Sequence, residues 1–278
     1  MAPVTLTPVS AEPRVSVDRS GWKVTGRRVL RSEWSKFWSL RSSWVTVASS
    51  VLVMIVFGVI AAAVYKPPTG GSAGAGAPDA VSLALVGASI AGLIVGVLGV
   101  MMSAGEYSTG MVRSTFAAVP RRRLVLASKS AVIGSLVLVL TTLGALISFG
   151  LGKAGLHGEK IAMAVGDEGV MRSLAGAGVY LGLFAVLGVA LGSLVRSTSG
   201  SIAALVGVVL LLPGLTAVLP GDLQDSVDPY LPGNAGSAIY ALHKGADSLS
   251  PGAGLMVFAV WVAIALTAAA VRLKRTDV

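Results

Sequence analysis

The chain has 278 residues, 54% of them hydrophobic and only 13% charged, with a mean hydropathy of +0.81. Soluble domains carry about 25% charged residues, so this composition excludes an ordinary soluble enzyme and points to a polytopic, all-α membrane protein. The net charge of +9 would suggest nucleic acid as a partner of a soluble protein. Here the basic residues cluster beside apolar runs, where anionic lipid headgroups explain them more simply and no nucleic acid is needed.

Residues 1–21 are rich in Pro, Ser and Val with mixed charge, and read as a disordered cytoplasmic tail. No signal peptide is expected, because the first apolar run begins only near Trp44. Between residues 22 and 43, Leu30, Trp34, Phe37 and Trp38 fall on one helical face, with Arg27, Arg28, Arg31 and Lys36 mostly elsewhere. Aromatic residues opposite basic ones predict an interfacial helix lying in the membrane plane. The plainer alternative is a juxtamembrane basic segment.

Six apolar runs come next, at residues 44–64, 80–102, 130–151, 173–195, 201–219 and 254–271. Each is near the ~20 residues needed to cross a bilayer core. With residues 22–278 they make one six-span domain. Pro213 and Gly214 should kink the fifth span, which a packed bundle tolerates. The charges set the orientation. With the N-terminus inside, all but Lys66, Lys153, Lys160, Arg172 and Lys244 of the 22 lysines and arginines are cytoplasmic. Asp79, Glu159, Asp167, Glu168, Asp222, Asp225, Asp228 and Asp247 lie outside. This obeys the positive-inside rule with both termini cytoplasmic. Glycines recur four apart at Gly92 and Gly96, Gly178 and Gly182, and Gly188 and Gly192, a spacing that lets helix backbones pack closely, within or between subunits.

The loop at residues 102–129 is the long basic interruption on the cytoplasmic side. Val112, Phe116 and Val119 recur at i, i+4 and i+7, giving a short helix with one apolar face. Ser108 or Thr109 could cap it, with Glu106 at the helix end that favours negative charge. Pro120 stops it, and Arg121, Arg122, Arg123 and Lys129 anchor the start of the third span. Such a helix suits contact with a partner at the membrane face; the alternative is a basic loop that only fixes topology. Of the outer segments, residues 65–79 form a Gly/Ala/Pro linker, residues 152–172 are polar and balanced in charge, and residues 220–251 either dip back into the membrane or cap the outer mouth.

Catalysis finds little support. The two histidines, His157 and His243, fall in outer loops, and no nucleophile or metal-ligand cluster accompanies them. There is no cysteine, so no disulfide or Cys-ligated metal is possible. No phosphate-binding loop is present, since Gly152-Lys153 is followed by Ala154. No charged residue is expected deep in a span, which argues against a transporter driven by a buried carboxylate. The chain is therefore expected to lack catalytic, cofactor and metal sites.

Four stretches carry a resemblance: LRSEWSKFWSLRSSW at 30–44, GEYSTGMVRSTFAAVPRRRLVLASK at 105–129, LGSLVRSTSGSIAAL at 191–205 and DPYLPGNAGSAI at 228–239. In this order, on these sides of six spans, they resemble the permease subunits of ABC type-2 exporters, in the small six-span form of actinobacteria. The resemblance implies an interfacial connecting helix near 29–42 and a coupling helix near 108–119. It implies a dimer of membrane halves, homomeric or with a paralogue, in the bacterial plasma membrane. ATP would be hydrolysed by separate ATP-binding-cassette subunits. Glu106 and Arg113 would make polar contacts at the moving joint, with Phe116, Val112 and Val119 as the apolar contact to the ATPase. Two rival readings are a membrane anchor or sensor that recruits a cytoplasmic partner without transport, and an intramembrane enzyme.

Overall fold

The computed structural model describes residues 24–66, 78–156, 161–216, 218, 220–245 and 247–275. The tail expected over residues 1–21, most of the linker after Lys66, and His157 lie outside the described residues. The described residues are mostly helical, and no strand occurs among them.

α1 (Gly26–Ser39) is followed at once by α2 (Arg41–Ala63), the two separated by an extended Leu40. The second apolar run is two helices rather than one. Asp79 opens α3 (Ala80–Ala84) with a capping box: the Ser82 amide donates to Asp79 Oδ1 at 2.7 Å, and the Asp79 amide donates to Ser82 Oγ at 2.9 Å. The chain then turns through Gly87 into α4 (Ala88–Ser108). That turn presses on α2, since a Cβ at Gly87 would lie 2.7 Å from the Met54 Cα.

α5 (Met111–Ala118) is short, and α6 (Arg122–Gly155) is the longest helix at 34 residues. At 1.5 Å per residue α6 is about 51 Å long, far more than a ~30 Å hydrocarbon core requires. Its first turns therefore carry Arg122, Arg123 and Lys129 in helical form, where a loop was expected up to residue 129. α7 (Val170–Val195) starts after Gly169 at φ 83° and ends at Arg196, a non-glycine residue at φ 63°.

The fifth span, Thr198–Thr216, combines α8 (Thr198–Val206), a π turn (Gly207–Leu211) and α9 (Leu212–Thr216). Pro213 lacks an amide hydrogen and would clash with a carbonyl one turn back. The wider π turn directly before it relieves that conflict, and the Leu212 amide reaches back to the Gly207 carbonyl. α10 (Gly221–Val227) and α11 (Pro232–Tyr240) precede α12 (Pro251–Arg275). α11 does not span. Ala235, Gly236 and Ile239 bury it at one end of the bundle, and Trp261 Nε1–H on α12 donates to the Tyr230 carbonyl at 3.1 Å.

Among the described residues six helices are long and apolar enough to cross a membrane: α2, α4, α6, α7, the fifth span and α12. Length and composition thus fit a multi-pass membrane protein. α7 is the hub. A Cβ on Gly188 would fall on the Gly96 carbonyl of α4, and one on Gly192 would meet Val100 O and Ser103 at 3.0 Å. On its other side, Gly178 meets Thr142 and Gly182 meets Gly134 O at 2.9 Å, both on α6. Gly96 faces Phe184 and Leu205, while Gly92 is in ordinary contact with the Tyr180 hydroxyl. All six glycines singled out by spacing therefore meet residues of their own chain, at seams between α4, α6 and α7. A Ser103–Ser193 hydroxyl pair at 2.6 Å links α4 to α7 near one end.

Candidate functional site

The structure brings four charged residues into a closed ring. Glu33 on α1 receives Lys36 at Oε1 (2.8 Å) and Lys129 at Oε2 (2.7 Å). Glu106, near the end of α4, receives both lysines at its Oε1, Lys36 at 2.9 Å and Lys129 at 2.8 Å. The ring alternates in sign and is neutral. Glu33 is 2% exposed, Lys129 4% and Glu106 8%, so three of its four members are buried.

Local sequence explains how each member arrives. Val29, Glu33 and Phe37 recur at i, i+4 and i+8, which stacks them along one stripe of α1, and all three are buried. Glu106 lies in the last turn of α4, and Lys129 two turns into α6. The ring thus ties α1 to the end of the second span and the beginning of the third. A buried pair is no guarantee of net stability, but removing one partner leaves an uncompensated charge, at a cost of about 3–5 kcal/mol. For Lys36, on α1, burial pulls the ammonium pKa down. Bonds to Glu33 and Glu106 outweigh it and hold the group above its ordinary value.

Three expectations are corrected by this geometry. First, Lys129 is not a basic anchor ahead of the third span but a buried residue of α6; it and Glu106 sit near the ends of their helices rather than deep in a span, and each has an opposite partner. Second, Glu106 does not open the short loop helix but closes α4. The start of α5 is set by Gly110 at φ 73°, a left-handed position that glycine adopts without strain. Ser108 and Thr109 do not cap α5; both hydroxyls donate back to the Gly105 carbonyl of α4. Third, the apolar face of α1 divides. Phe37 is buried and packs edge-on against Trp44 at 5.2 Å, whereas Leu30, Trp34 and Trp38 are exposed. Glu33 has to face Lys129, and that requirement turns the other three outward.

α5 hangs between the two ring-bearing helices. Val112 is buried and Val119 half-buried. Phe116 is also half-buried, with the Arg122 guanidinium 5.5 Å from its ring centre. The apolar face thus turns towards its own bundle, leaving Met111, Arg113, Ser114, Ala117 and Ala118 exposed. Arg113 makes no ion pair among the described residues. Arg122 also donates from Nη1 to the Leu273 carbonyl at 3.1 Å, so the C-terminal end of α12 sits on the same face as α5.

Sequence reasoning missed Glu33, Lys129 as a buried partner, and Arg196. The Arg196 guanidinium lies 5.3 Å from the Tyr107 ring centre, joining the α7–α8 turn to the end of α4. Nothing local flags the first two, because Glu33 and Lys129 are 96 residues apart. His243 is exposed, and no group of residues suited to hold a metal occurs among the described residues.

Scans of the chain against protein-family models and against curated proteins give no match.

Proposed function

We propose that the chain is the membrane subunit of an ATP-binding-cassette exporter, working as a dimer in a bacterial plasma membrane with its termini and α5 on the cytoplasmic side. The observation that carries this reading is the ring. It makes α1 and the helices on either side of α5 one mechanical unit at the basic end of the bundle. A cytoplasmic ATPase pressing on α5 would move the second and third spans together, because the four charges resist being separated. The positive-inside asymmetry and the six spans support the same orientation. In this reading Leu30, Trp34 and Trp38 face lipid headgroups, so α1 lies along the membrane surface with its ring side against the bundle.

The contact to the ATPase falls on the exposed side of α5, at Met111 and Arg113. Phe116, Val112 and Val119 hold the helix at its angle from beneath. ATP chemistry belongs to the partner, and this chain contributes the path and the coupling. The test is reconstitution with an ATP-binding-cassette subunit, sought first among the products of the neighbouring reading frames. Arg113→Glu should lower recovery of the ATPase by roughly tenfold, about 1.4 kcal/mol, and abolish permease-dependent ATP turnover. Unchanged recovery and turnover would leave the chain as a membrane anchor with no coupling surface on α5.

A further inference from the structure

Between α1, α2 and α4, beside the ring, lies a cavity of about 450 Å³. That is the size of a small-ligand site, and it combines a largely apolar wall with a few convergent polar groups. Leu98, Met101 and Met111 contribute to the apolar part; Lys36 and Glu106 supply the charge. From these walls we infer that the cavity binds an amphiphilic organic ammonium ion, its apolar body against the methionines and its N–H groups at Glu106.

The direction of the hydrogen bonds around the cavity selects this chemistry. Ser39 donates its proton to the Lys36 carbonyl and Thr46 to the Ser42 carbonyl. Thr109 donates to the Gly105 carbonyl, and Ser43 to the Met102 sulfur. Each of these four hydroxyls spends its one proton on the protein and keeps lone pairs to offer. The carboxylate behaves likewise. Glu106 takes both lysines on Oε1, while its Oε2 accepts no hydrogen bond among the described residues and is not sealed from solvent. The wall therefore offers more acceptors than donors. Two protons stand against that excess: one N–H of Lys36, whose other two are committed to Glu33 and Glu106, and the hydroxyl of the exposed Ser42, which can also turn to accept. Because the ring is neutral, neither Lys36 nor Glu106 brings an excess charge, and hydrogen bonding makes the selection. An anionic headgroup would find one N–H, one hydroxyl proton and a row of lone pairs; an ammonium finds a carboxylate oxygen that accepts no other bond, and the hydroxyls.

A membrane phospholipid with a primary ammonium headgroup and a soluble amphiphilic amine share this chemistry. Binding alone is at stake, independent of the transport reading. It is tested with the full-length protein purified in a nonionic detergent, using decylammonium, decanol and decanoate as probes of equal chain length in equilibrium dialysis. Decylammonium should bind at least about tenfold more tightly than either of the others. Glu106→Gln should remove that preference. Because this change also touches the ring, Met101→Trp is the second variant: it fills the cavity from the wall, leaves all four charges in place, and should lower decylammonium affinity roughly tenfold. Decanoate binding as tightly as decylammonium, equal affinity for all three probes, or wild-type decylammonium affinity in Met101→Trp would each overturn the proposal. Competition separates the sources: displacement of decylammonium by phosphatidylethanolamine in mixed micelles identifies a lipid headgroup, and no displacement identifies a soluble amine.

Discussion

α7 and the fifth span have nearly the same apolar character, yet 78% of the most apolar window of α7 is buried inside the chain and only 11% of that of the fifth span. Hydropathy decides that a helix can leave water; it does not decide what the helix then touches. α7 has Gly176, Gly178, Gly182, Gly188 and Gly192 where backbones of α4, α6 and α11 come close, so its neighbours meet it at backbone distance. The fifth span instead presents Leu210, Leu211 and Leu215 outward and is interrupted by a π turn. The first region is a fixed axle. The second is an apolar arm that the chain itself leaves uncovered.

The sharpest way to break this comparison is to place the same side chain in both regions. Gly188→Leu drives its Cβ into the Gly96 carbonyl, and overpacking of this kind costs about 3 kcal/mol or more. Monodisperse protein should disappear from size-exclusion profiles. Gly214→Leu in the fifth span meets nothing within 4 Å and should give wild-type profiles. Equal loss from both would mean that the two regions are packed alike.

Next in size is the ring. Lys129→Ala strips the buried carboxylates of a partner and should lower stability by about 3–5 kcal/mol, read as a shifted thermal unfolding midpoint in detergent. Adding Glu33→Ala should recover part of that loss, since neighbours in one network are not additive. A double variant as unstable as the sum of the single ones would show that the ring is not a unit.

Lys36 is the more exposed member, so Lys36→Met should cost less, about 1 kcal/mol. Its pH dependence has a definite sign. The folded-state pKa is raised above 10.5, so the contribution is fully present below that value and fades as pH rises through the folded pKa. The difference between wild type and Lys36→Met should be flat over roughly pH 6 to 9 and shrink above about 10.5. A difference that vanished on acidification would reverse the sign and refute it.

The smallest effect is expected at Leu211→Ala, within about 0.5 kcal/mol, as at other uncovered positions. A loss of 2 kcal/mol or more, about what a buried leucine shows, would reveal that a second copy covers this arm in solution.

The six long apolar helices were legible because span length and hydropathy are local properties. The boundaries that moved did so for identifiable reasons. α6 starts at Arg122 because charged side chains on its first turns need not cross the apolar core, and the 80–102 run divides at residues 85–87, where the chain turns through Gly87 against α2. The site was less legible. Helical spacing on α1 picked out the aromatic residues, but a stripe through Val29 and Phe37 contains Glu33, and its burial depends on a lysine 96 residues later. Phe116 fitted an outward-facing plug on spacing alone, and only the fold brings Arg122 over its ring. Long-range pairing of opposite charges leaves no periodic trace in a sequence.

That separation along the chain imposes an order on biosynthesis. Glu33 leaves the ribosome well before Lys129, and until the third span exists it has no buried ammonium from α6 to receive it. Until then Glu33 has only Lys36 of its own helix, and docking α1 would bury a carboxylate oxygen without its ammonium, which holds α1 undocked while the first two spans insert. Its closure onto the bundle is then a late event, available only to chains that have made α6 in the correct orientation. An inverted third span would put Lys129 on the wrong side and leave α1 loose, giving quality-control proteases a handle on misassembled copies.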